Sequence, residues 1–220
     1  MKIDKDYIEN LREDYRQGSL DEQSALENPY RQFELWFDQA LKAEVPEPNA
    51  MTLATATPKG VPSARIVLLK GLDENGFVFY TNYSSKKGQE LSENPHVSLV
   101  FFWQQMARQV RVDGLAERIP KSASQAYFNN RPHGSKLGAM TSPQSQVIAN
   151  REFLESKYLE AEALYEGETE IDVPDFWGGF IVKPYRMEFW QGRSNRLHDR
   201  LQYLLQKIEP KEWKIERLAP

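Results

Sequence analysis

Apolar and polar residues follow a helical period near the start of the chain. Asn28 and Pro29 are typical of a helix start. Apolar residues then recur at helical spacing, namely Phe33, Trp36, Phe37, Ala40 and Leu41. The pattern predicts a helix over residues 29–43, which ends at the two prolines of residues 45–48. Residues 1–27 are mostly polar without a sustained apolar face, so we expect an N-terminal arm whose order depends on what it docks against.

After residue 48 the pattern changes to short β-rich runs that are separated by turn residues such as Asp73-Glu-Asn-Gly76. The predicted strands cover residues 51–57, 62–70, 77–82, 96–103, 108–118, 178–192 and 213–220. Helical patterns cover residues 84–93, 121–130 and 144–166. We therefore expect one mainly β domain with peripheral helices, class α+β, over residues 28–220, with the early strands in an antiparallel meander. Because so many strands would leave exposed edges in an open sheet, the pattern favours a Greek-key-like antiparallel barrel.

Composition narrows the class of protein. The 220 residues are 40% hydrophobic and 27% charged, as in an average globular protein. The net charge of -4, from 28 basic and 32 acidic residues, argues against a nucleic-acid partner. The longest apolar run, residues 97–103, is far shorter than the roughly 20 residues of a membrane helix, so we expect no membrane span and a cytoplasmic protein.

Metal and thiol chemistry have little support in the sequence. The chain has no cysteine, which excludes disulfides, thiolate nucleophiles and iron–sulfur clusters. The three histidines, His96, His133 and His198, lie far apart and outside any metal-binding motif. We expect no metal site.

The densest polar cluster covers residues 188–200. In an extended segment Arg196, His198 and Arg200 would share one face, so that two cations and a titratable ring point together. A solvated charged strand, or a helix start with Arg196 and Arg200 one turn apart, explains the same spacing equally well. Spacing alone therefore leaves a functional and a structural interpretation open.

Two further clusters are suited to phosphate groups. In residues 127–136, Tyr127 and Arg131 share a helical face before a turn at Pro132, and Ser135 follows in a loop. An ordinary helix end with basic residues explains this cluster at least as well. Residues 65–70 and 80–87 combine hydroxyls, cations and a helix start, although alternation places Arg65 and Lys70 on opposite faces unless a bulge intervenes.

The segment EFWQGRSNRLHDR, residues 188–200, resembles the signature of pyridoxamine 5′-phosphate oxidases. Other blocks resemble that family in the same order, namely ARIVLLK, FYTNYSSKKG, RQVRVDG, YFNNRPHGSK, SPQSQ and ERLAP. The resemblance covers about residues 30–220. It implies a homodimer of FMN-binding split β-barrels with FMN at the subunit interface. The implied reaction oxidises pyridoxamine or pyridoxine 5′-phosphate to pyridoxal 5′-phosphate by hydride transfer from C4′ to flavin N5, and O2 is reduced to H2O2.

The resemblance also implies residue roles. The implied FMN contacts are Arg65, Ile66, Val67, Leu68, Leu69, Lys70, Tyr80, Thr81, Lys86, Lys87, Gln109, Gln144, Ser145, Trp190 and Arg200. The implied contacts of the substrate phosphate are Lys70, Tyr127, Arg131 and Ser135, while Arg196, Leu197 and His198 would lie at the reacting ring, with Arg196 and His198 as the catalytic pair. A short N-terminal match adds Arg12 and Tyr15 to the substrate contacts.

One position departs from the family pattern. Lys86 stands where many members have arginine, so a bidentate phosphate contact would become a single point charge. Two other hypotheses stay open at this point, a split-barrel flavoprotein that acts on another reductant and a flavin or pyridoxal phosphate carrier without turnover. The joint presence of Tyr127, Arg131, Ser135, Arg196 and His198 favours the oxidase, because a flavin binder does not need a second phosphate pocket.

Overall fold

The computed structural model describes residue 15 and residues 18–168 and 170–220. Within these residues the chain forms five α-helices, α1 Pro29–Lys42, α2 Lys86–Glu93, α3 Lys121–Asn129, α4 His133–Thr141 and α5 Arg151–Leu164. Over the same residues the strands are β1 Ala50–Ala56, β2 Pro62–Leu68, β3 Gly71–Asp73, β4 Gly76–Asn82, β5 His96–Trp103, β6 Arg108–Arg118, β7 Trp177–Gln191, β8 Asp199–Lys207 and β9 Glu212–Arg217. Short 3-10 turns lie at Gln104–Met106 and Ser194–Arg196.

Most of the predicted elements are confirmed. Helix α1 begins after Asn28, whose side chain accepts hydrogen bonds from the backbone N–H groups of Tyr30 and Arg31. The predicted strand over 96–103 matches β5, and the predicted strand over 108–118 matches β6. The mainly β class with peripheral helices is therefore correct.

The structure corrects four local predictions. Residues 133–141 form helix α4 where a loop was expected, because Pro132 precedes the helix and does not interrupt it. Helix α5 begins at residue 151 and not at 144, since Asn150 caps it by accepting from the N–H of Phe153. Strands β3 and β8 were not predicted. Residues 194–196 form a 3-10 turn, so neither an extended segment nor a regular helix covers this stretch.

The strand order also differs from a simple meander. The sheet runs β2-β1-β5-β6-β7-β4-β3, and β8 pairs with both β7 and β9. Strands β1 and β2 form an antiparallel hairpin, as a meander predicts, and the unpredicted strand β3 pairs antiparallel with β4. Strand β4 then pairs with β7 (Phe77 with Val182, Asn82 with Trp177) across about a hundred residues of sequence. The second half of β7, from Arg186 onward, pairs with β8 instead.

The described residues divide into two compact units, each discontinuous in sequence. The terminal unit contains the described residues up to Pro48 together with Val100–Val112 and Arg186–Pro220. Its core is aromatic, with Phe33 4.8 Å from Phe101, Trp36 5.3 Å from Phe189, and Phe189 5.4 Å from Tyr203 between ring centroids. Burial raises the pKa of Tyr203 to about 12, and its hydroxyl donates to the carbonyl of Leu26. The organisation into one domain with an N-terminal arm stays a prediction.

The central unit contains Asn49–Leu99 and Asp113–Tyr185. Helices α3, α4 and α5 enclose a small core of Phe128, Leu137, Ile171, Val173 and Trp177. Strand β4 contributes a second layer in which Phe79 stacks on Phe180 at 5.7 Å. In the described part of the chain, no helix is long and apolar enough to cross a membrane.

Candidate active site

A cavity of about 710 Å³ opens in the central unit. Its lining includes predicted flavin contacts, namely Ile66, Val67, Leu68, Lys70, Tyr80, Thr81, Lys87 and Gln144. The same lining includes the predicted phosphate contacts of the substrate, namely Lys70, Tyr127, Arg131 and Ser135. Two residue sets with separate implied roles thus share one cavity, whose volume lies in the range of about 300 to 1,000 Å³ that small-molecule sites occupy.

Three parallel aromatic rings form one wall of the cavity. Tyr80 stacks on Tyr127 with ring centroids 3.8 Å apart and planes 8° from parallel. Trp177 is stacked with both rings, 5.5 Å from Tyr80 and 6.3 Å from Tyr127. Burial, followed by the neighbouring Tyr127 and Tyr83, raises the pKa of Tyr80. The hydroxyl of Tyr80 therefore stays protonated at neutral pH and can donate a hydrogen bond.

Arg131 is held from two sides at the C-terminal end of α3. Its Nη2 donates to the carbonyl of Ser135 at 2.9 Å, and its guanidinium lies 4.7 Å from the ring centroid of Trp177. Burial lowers the pKa of Arg131, but an arginine remains charged at neutral pH. The contact with Trp177 fixes a cation in the cavity without neutralising it, as an anion-binding group requires.

Lys87 provides a second cation at the start of helix α2. Its ammonium donates to Gln144 Oε1 at 2.9 Å and to Thr81 Oγ1 at 3.2 Å. Burial lowers the pKa of Lys87, and the nearby Arg65 adds to this effect. Ser85 caps the helix, and a Cβ at Gly88 would collide with the backbone of Tyr83, so glycine is needed where the helix begins. The helix N-terminus and the lysine together favour an anion.

The structure separates Arg65 from Lys70, which is the outcome that alternation favours when no bulge intervenes. Strand β2 ends at Leu68, so Lys70 lies in the connection to β3 and lines the cavity. Arg65 contacts the buried carboxylate of Glu90 at 3.1 Å and does not belong to the cavity lining. Leu69 is buried in the core, with 8% of its surface exposed. Lys86 is exposed and lies 3.9 Å from Glu90, while Ser145 is exposed with a φ of 72°.

The terminal unit holds a second group of predicted residues around the turn at 194–196. Trp190 lies 4.8 Å from His198, and Tyr15 lies 5.7 Å from Trp190 between ring centroids. The N–H of Arg193 donates to Nδ1 of His198 at 3.0 Å, so a neutral His198 carries its proton on Nε2 and can donate from there. Burial and contacts thus orient the imidazole ring.

Arg196 and Leu197 are exposed in this turn, Leu197 by 69% of its surface. Asn195 and Arg196 both have positive φ, 57° and 60°. Such conformations cost on the order of 1 kcal/mol or more each and are concentrated at functional sites. The strained, exposed turn supports the interpretation of Arg196 as a functional residue over that of a solvated charge.

Hydrogen bonds fix the side chain of Arg200 against strand β7 and the last residues of the chain. Its Nε and Nη2 both lie 2.9 Å from Oε1 of Glu188, and Nη1 donates to the carbonyl of Ala219 at 2.7 Å. Glu188 is 3% exposed and also binds Arg111 at 2.9 Å, so one buried carboxylate faces two guanidinium groups. Gln109, on β6 in the same unit, is partly buried. Arg12 lies outside the described residues.

Sequence reasoning missed six residues of the cavity lining. These are Asn82, Pro132, Gly138, Ala139, Ser142 and Trp177. Four of them lie on α4 or at its two ends, so they were hidden because a turn at Pro132 and a loop at Ser135 were expected in place of this helix. Asn82 directly follows Thr81 and could have been found from that position. Trp177 had no signal in the sequence, since its role depends on the pairing of β7 with β4.

Comparison with known proteins decides the family. Residues 37–165 match the pyridoxamine 5′-phosphate oxidase family, and residues 177–220 match the C-terminal dimerisation region of pyridoxine 5′-phosphate oxidases. The chain belongs to the pyridoxine/pyridoxamine 5′-phosphate oxidase family. A pyridoxine/pyridoxamine 5′-phosphate oxidase of Trichormus variabilis is 54% identical, with 97% of this chain and 98% of the relative covered. Its counterpart in Salinibacter ruber is 52% identical, with 97% and 99% covered.

Solved structures agree with the oxidase family. PhzG from Burkholderia lata, in complex with tetrahydrophenazine-1-carboxylic acid, has a TM-score of 0.85 at 30% identity, covering 93% of this chain and 99% of that one. A pyridoxamine 5′-phosphate oxidase-related, FMN-binding protein from Nostoc punctiforme has a TM-score of 0.69 at 18% identity, covering 88% and 98%. The fold is the antiparallel split barrel of this oxidase family, as predicted.

Proposed function

We propose that this protein oxidises pyridoxamine 5′-phosphate and pyridoxine 5′-phosphate to pyridoxal 5′-phosphate, with FMN as cofactor and O2 as the final acceptor. One observation carries the proposal. The cavity of the central unit combines a cationic helix start, at Lys87, with a second cationic region, at Lys70 and Arg131. A ligand pair with two phosphate groups, one from the cofactor and one from the substrate, accounts for both regions.

The donor set of the cavity fits FMN. Lys87, Thr81 and the start of α2 offer an ammonium, a hydroxyl and backbone N–H groups to a terminal phosphate. Gln144 and residues 66–68 provide amide and backbone groups for the polar edge of the flavin. When bound, FMN would supply the redox chemistry, by accepting a hydride from C4′ of the substrate and passing electrons to O2.

The chain's own residues bind and orient the substrate. Arg131, Lys70 and Ser135 offer charged and hydroxyl donors to the 5′-phosphate, and Tyr127 adds a hydroxyl next to them. The stacked wall of Tyr80, Tyr127 and Trp177 limits the movement of these donors. Binding energy from the remote phosphate then serves to position the reacting carbon.

Arg196 and His198 act at the ring of the substrate. The guanidinium of Arg196 and the Nε2–H of His198 are hydrogen-bond donors that can hold the polar groups of the pyridine ring and so orient C4′ for removal of its hydride. Trp190 and Tyr15 orient the imidazole. We assign the catalytic role to this pair, and substrate binding to Leu197 and Tyr15 beside it.

The active form is proposed to be a homodimer in which both subunits contribute to each FMN site. The match of residues 177–220 to a dimerisation region supports this assignment, and so does the exposure of Arg196 and Leu197. FMN binding and association should then be coupled. Light scattering that shows a monomer saturated with FMN would contradict the dimer.

The test of the function is direct. The protein should purify yellow, release FMN and not FAD, and produce hydrogen peroxide when pyridoxamine 5′-phosphate is added under air. A colourless protein that binds no added FMN would refute the proposal. A yellow protein that is reduced by another compound but not by either B6 phosphate would favour a split-barrel flavoprotein with a different reductant. A yellow protein that no reductant turns over would favour a carrier.

A further inference from the structure

Glu90 is a buried carboxylate beneath the cationic start of helix α2. It is 4% exposed, and both of its oxygens accept hydrogen bonds. Oε1 accepts from Ser63 Oγ at 2.6 Å, while Oε2 accepts from Thr55 Oγ1 at 2.5 Å and from Arg65 Nη2 at 3.1 Å. A buried charge with so many partners is well fixed, because a free carboxylate at this depth would be costly.

The same network orients Arg65. Its Nη1 donates to Thr55 Oγ1 at 2.6 Å and to the carbonyl of Leu53 at 3.3 Å, while Nη2 donates to Glu90. Three of the five guanidinium N–H groups therefore have partners among the described residues. The remaining two, on Nε and Nη2, are adjacent and form the parallel pair that binds a phosphate in bidentate fashion.

From this geometry we infer that Glu90 is a positioning residue for the phosphate end of the flavin site, acting through Arg65. The inference rests on the proposed FMN-dependent function. Arg65 lies behind the cavity lining but close enough to Lys87 to lower the pKa of that lysine. Glu90 holds one side of the guanidinium, so that the free side can reach a phosphate bound at Lys87. This rigid arginine compensates for Lys86, a point charge that cannot provide a bidentate contact.

Electrostatic repulsion and positioning predict opposite changes in FMN affinity when Glu90 is removed. A carboxylate close to a phosphate repels it, so loss of the charge alone would strengthen FMN binding. Loss of a positioning contact would weaken FMN binding, because Arg65 would gain freedom and misalign its charge-assisted bonds. The burial of Glu90 and its three hydrogen-bond donors favour the second effect.

The experiment titrates the full-length chain, freed of flavin, with FMN and with riboflavin, followed by quenching of flavin fluorescence. Glu90→Ala should weaken FMN binding about tenfold or more, as expected for disruption of one charge-assisted hydrogen bond. Riboflavin has no phosphate, so its affinity should not change. Glu90→Gln keeps one acceptor oxygen, so its FMN affinity should fall less than that of Glu90→Ala. The control is Glu93→Gln, which removes an exposed charge from the same helix and should match the wild type.

The outcomes separate the possible explanations. Unchanged or tighter FMN binding by Glu90→Ala would overturn the inference, and so would an equal loss for FMN and riboflavin, which indicates a general packing role. If Glu90→Ala does not fold, the near-isosteric Glu90→Gln is measured alone and in an Arg65→Ala background. Glu90→Gln should no longer weaken FMN binding when Arg65 is already replaced by alanine. An equal loss of FMN affinity with and without Arg65 would overturn the inference. A wild-type chain that binds no FMN would instead refute the proposed function itself.

Discussion

The cavity of the central unit and the turn at residues 194–196 of the terminal unit carry predicted functional residues in different ways. In the cavity, Tyr127 lies on helix α3 and stacks in an aromatic wall, and Arg131, in the short connection between α3 and α4, contacts Trp177 of that wall. In the turn, Arg196 is exposed and adopts a positive φ. Packing against aromatic rings thus holds the proposed binding residues of the cavity, whereas the proposed catalytic Arg196 lies in a strained turn.

This difference indicates a division of work between the two regions. A preorganised cavity contributes binding that is nearly the same in the ground state and the transition state, and such binding mainly affects KM. The proposed contacts of Arg196 and His198 orient the reacting carbon, and loss of that orientation mainly lowers kcat. Mutations in the two regions should therefore separate in steady-state kinetics.

The largest effect should come from removal of the substrate phosphate. Each charge-assisted hydrogen bond contributes on the order of 1.5 to 3 kcal/mol, so loss of two should lower kcat/KM by about two to four decades. Pyridoxine should thus be a very poor substrate beside pyridoxine 5′-phosphate. Arg131→Ala should raise KM for the phosphorylated substrate more than it lowers kcat. Arg151→Ala, at an exposed arginine on α5, serves as the control. Equal efficiency on both substrates would eliminate the phosphate pocket.

Substitution of the catalytic pair should give the second largest effect. Arg196→Ala or His198→Ala should slow flavin reduction about a hundredfold, as misplacement of the reacting carbon by about 1 Å can. Stopped-flow absorbance should show this loss while the protein stays yellow. His96→Ala, at an exposed histidine, provides the matched control. If these variants lose FMN and Arg200→Ala does not, the division between substrate and cofactor residues is wrong.

A smaller effect is expected at Trp177, which holds Arg131 by a cation–π contact. Trp177→Phe weakens that contact and should raise KM about three- to tenfold with little change in kcat. Unphosphorylated pyridoxine should show no such change, because it does not use Arg131. Trp103→Phe makes the same substitution in the core of the terminal unit and controls for lost stability. A matching KM change for both substrates would show that Trp177 acts only in packing.

The smallest effect concerns the segment that precedes α1. Arg217 binds both oxygens of Glu22, at 2.8 and 2.7 Å, and this hydrogen bonding lowers the pKa of Glu22 from 4.5 to about 2. The ion pair therefore stabilises the folded state above about pH 4.5, and its contribution is lost as the pH falls toward 2.

The measurement compares melting temperatures of wild type and Glu22→Gln across this range. The variant should melt slightly lower at neutral pH, and the difference should shrink as the pH falls through about 2, where Glu22 becomes protonated and as neutral as glutamine. An exposed ion pair contributes little to stability, so the difference in melting temperature should be small. Glu155→Gln removes another exposed ion pair and measures the cost of losing such a pair at neutral pH. A difference that stays constant from neutral pH down to about pH 2 would rule out the ion pair as its cause.

Local chemistry explains why much of the site could be predicted. Helix α1 follows from the cap at Asn28 and its apolar spacing, and β5 follows from its β-rich composition. The two phosphate clusters were visible because cations, hydroxyls and a helix start lie close in sequence. Helix α4 was not visible, since Pro132 and Gly134 suggest a turn even though proline suits a helix start.

The sequence by itself determined most of the strands and helices and which residue types carry charge, because period and capping are local properties. Only the tertiary structure decided which segments meet. Pairing of β4 with β7 places Trp177 beside Tyr80, and folding of α2 onto β1 and β2 places Glu90 beside Arg65. The period of a strand shows which residues share a face, but it does not show which strand is the partner. The contact of Arg65 with Glu90, 25 positions away, and the pairing of β4 with β7, about a hundred positions away, therefore depend on packing of the whole chain.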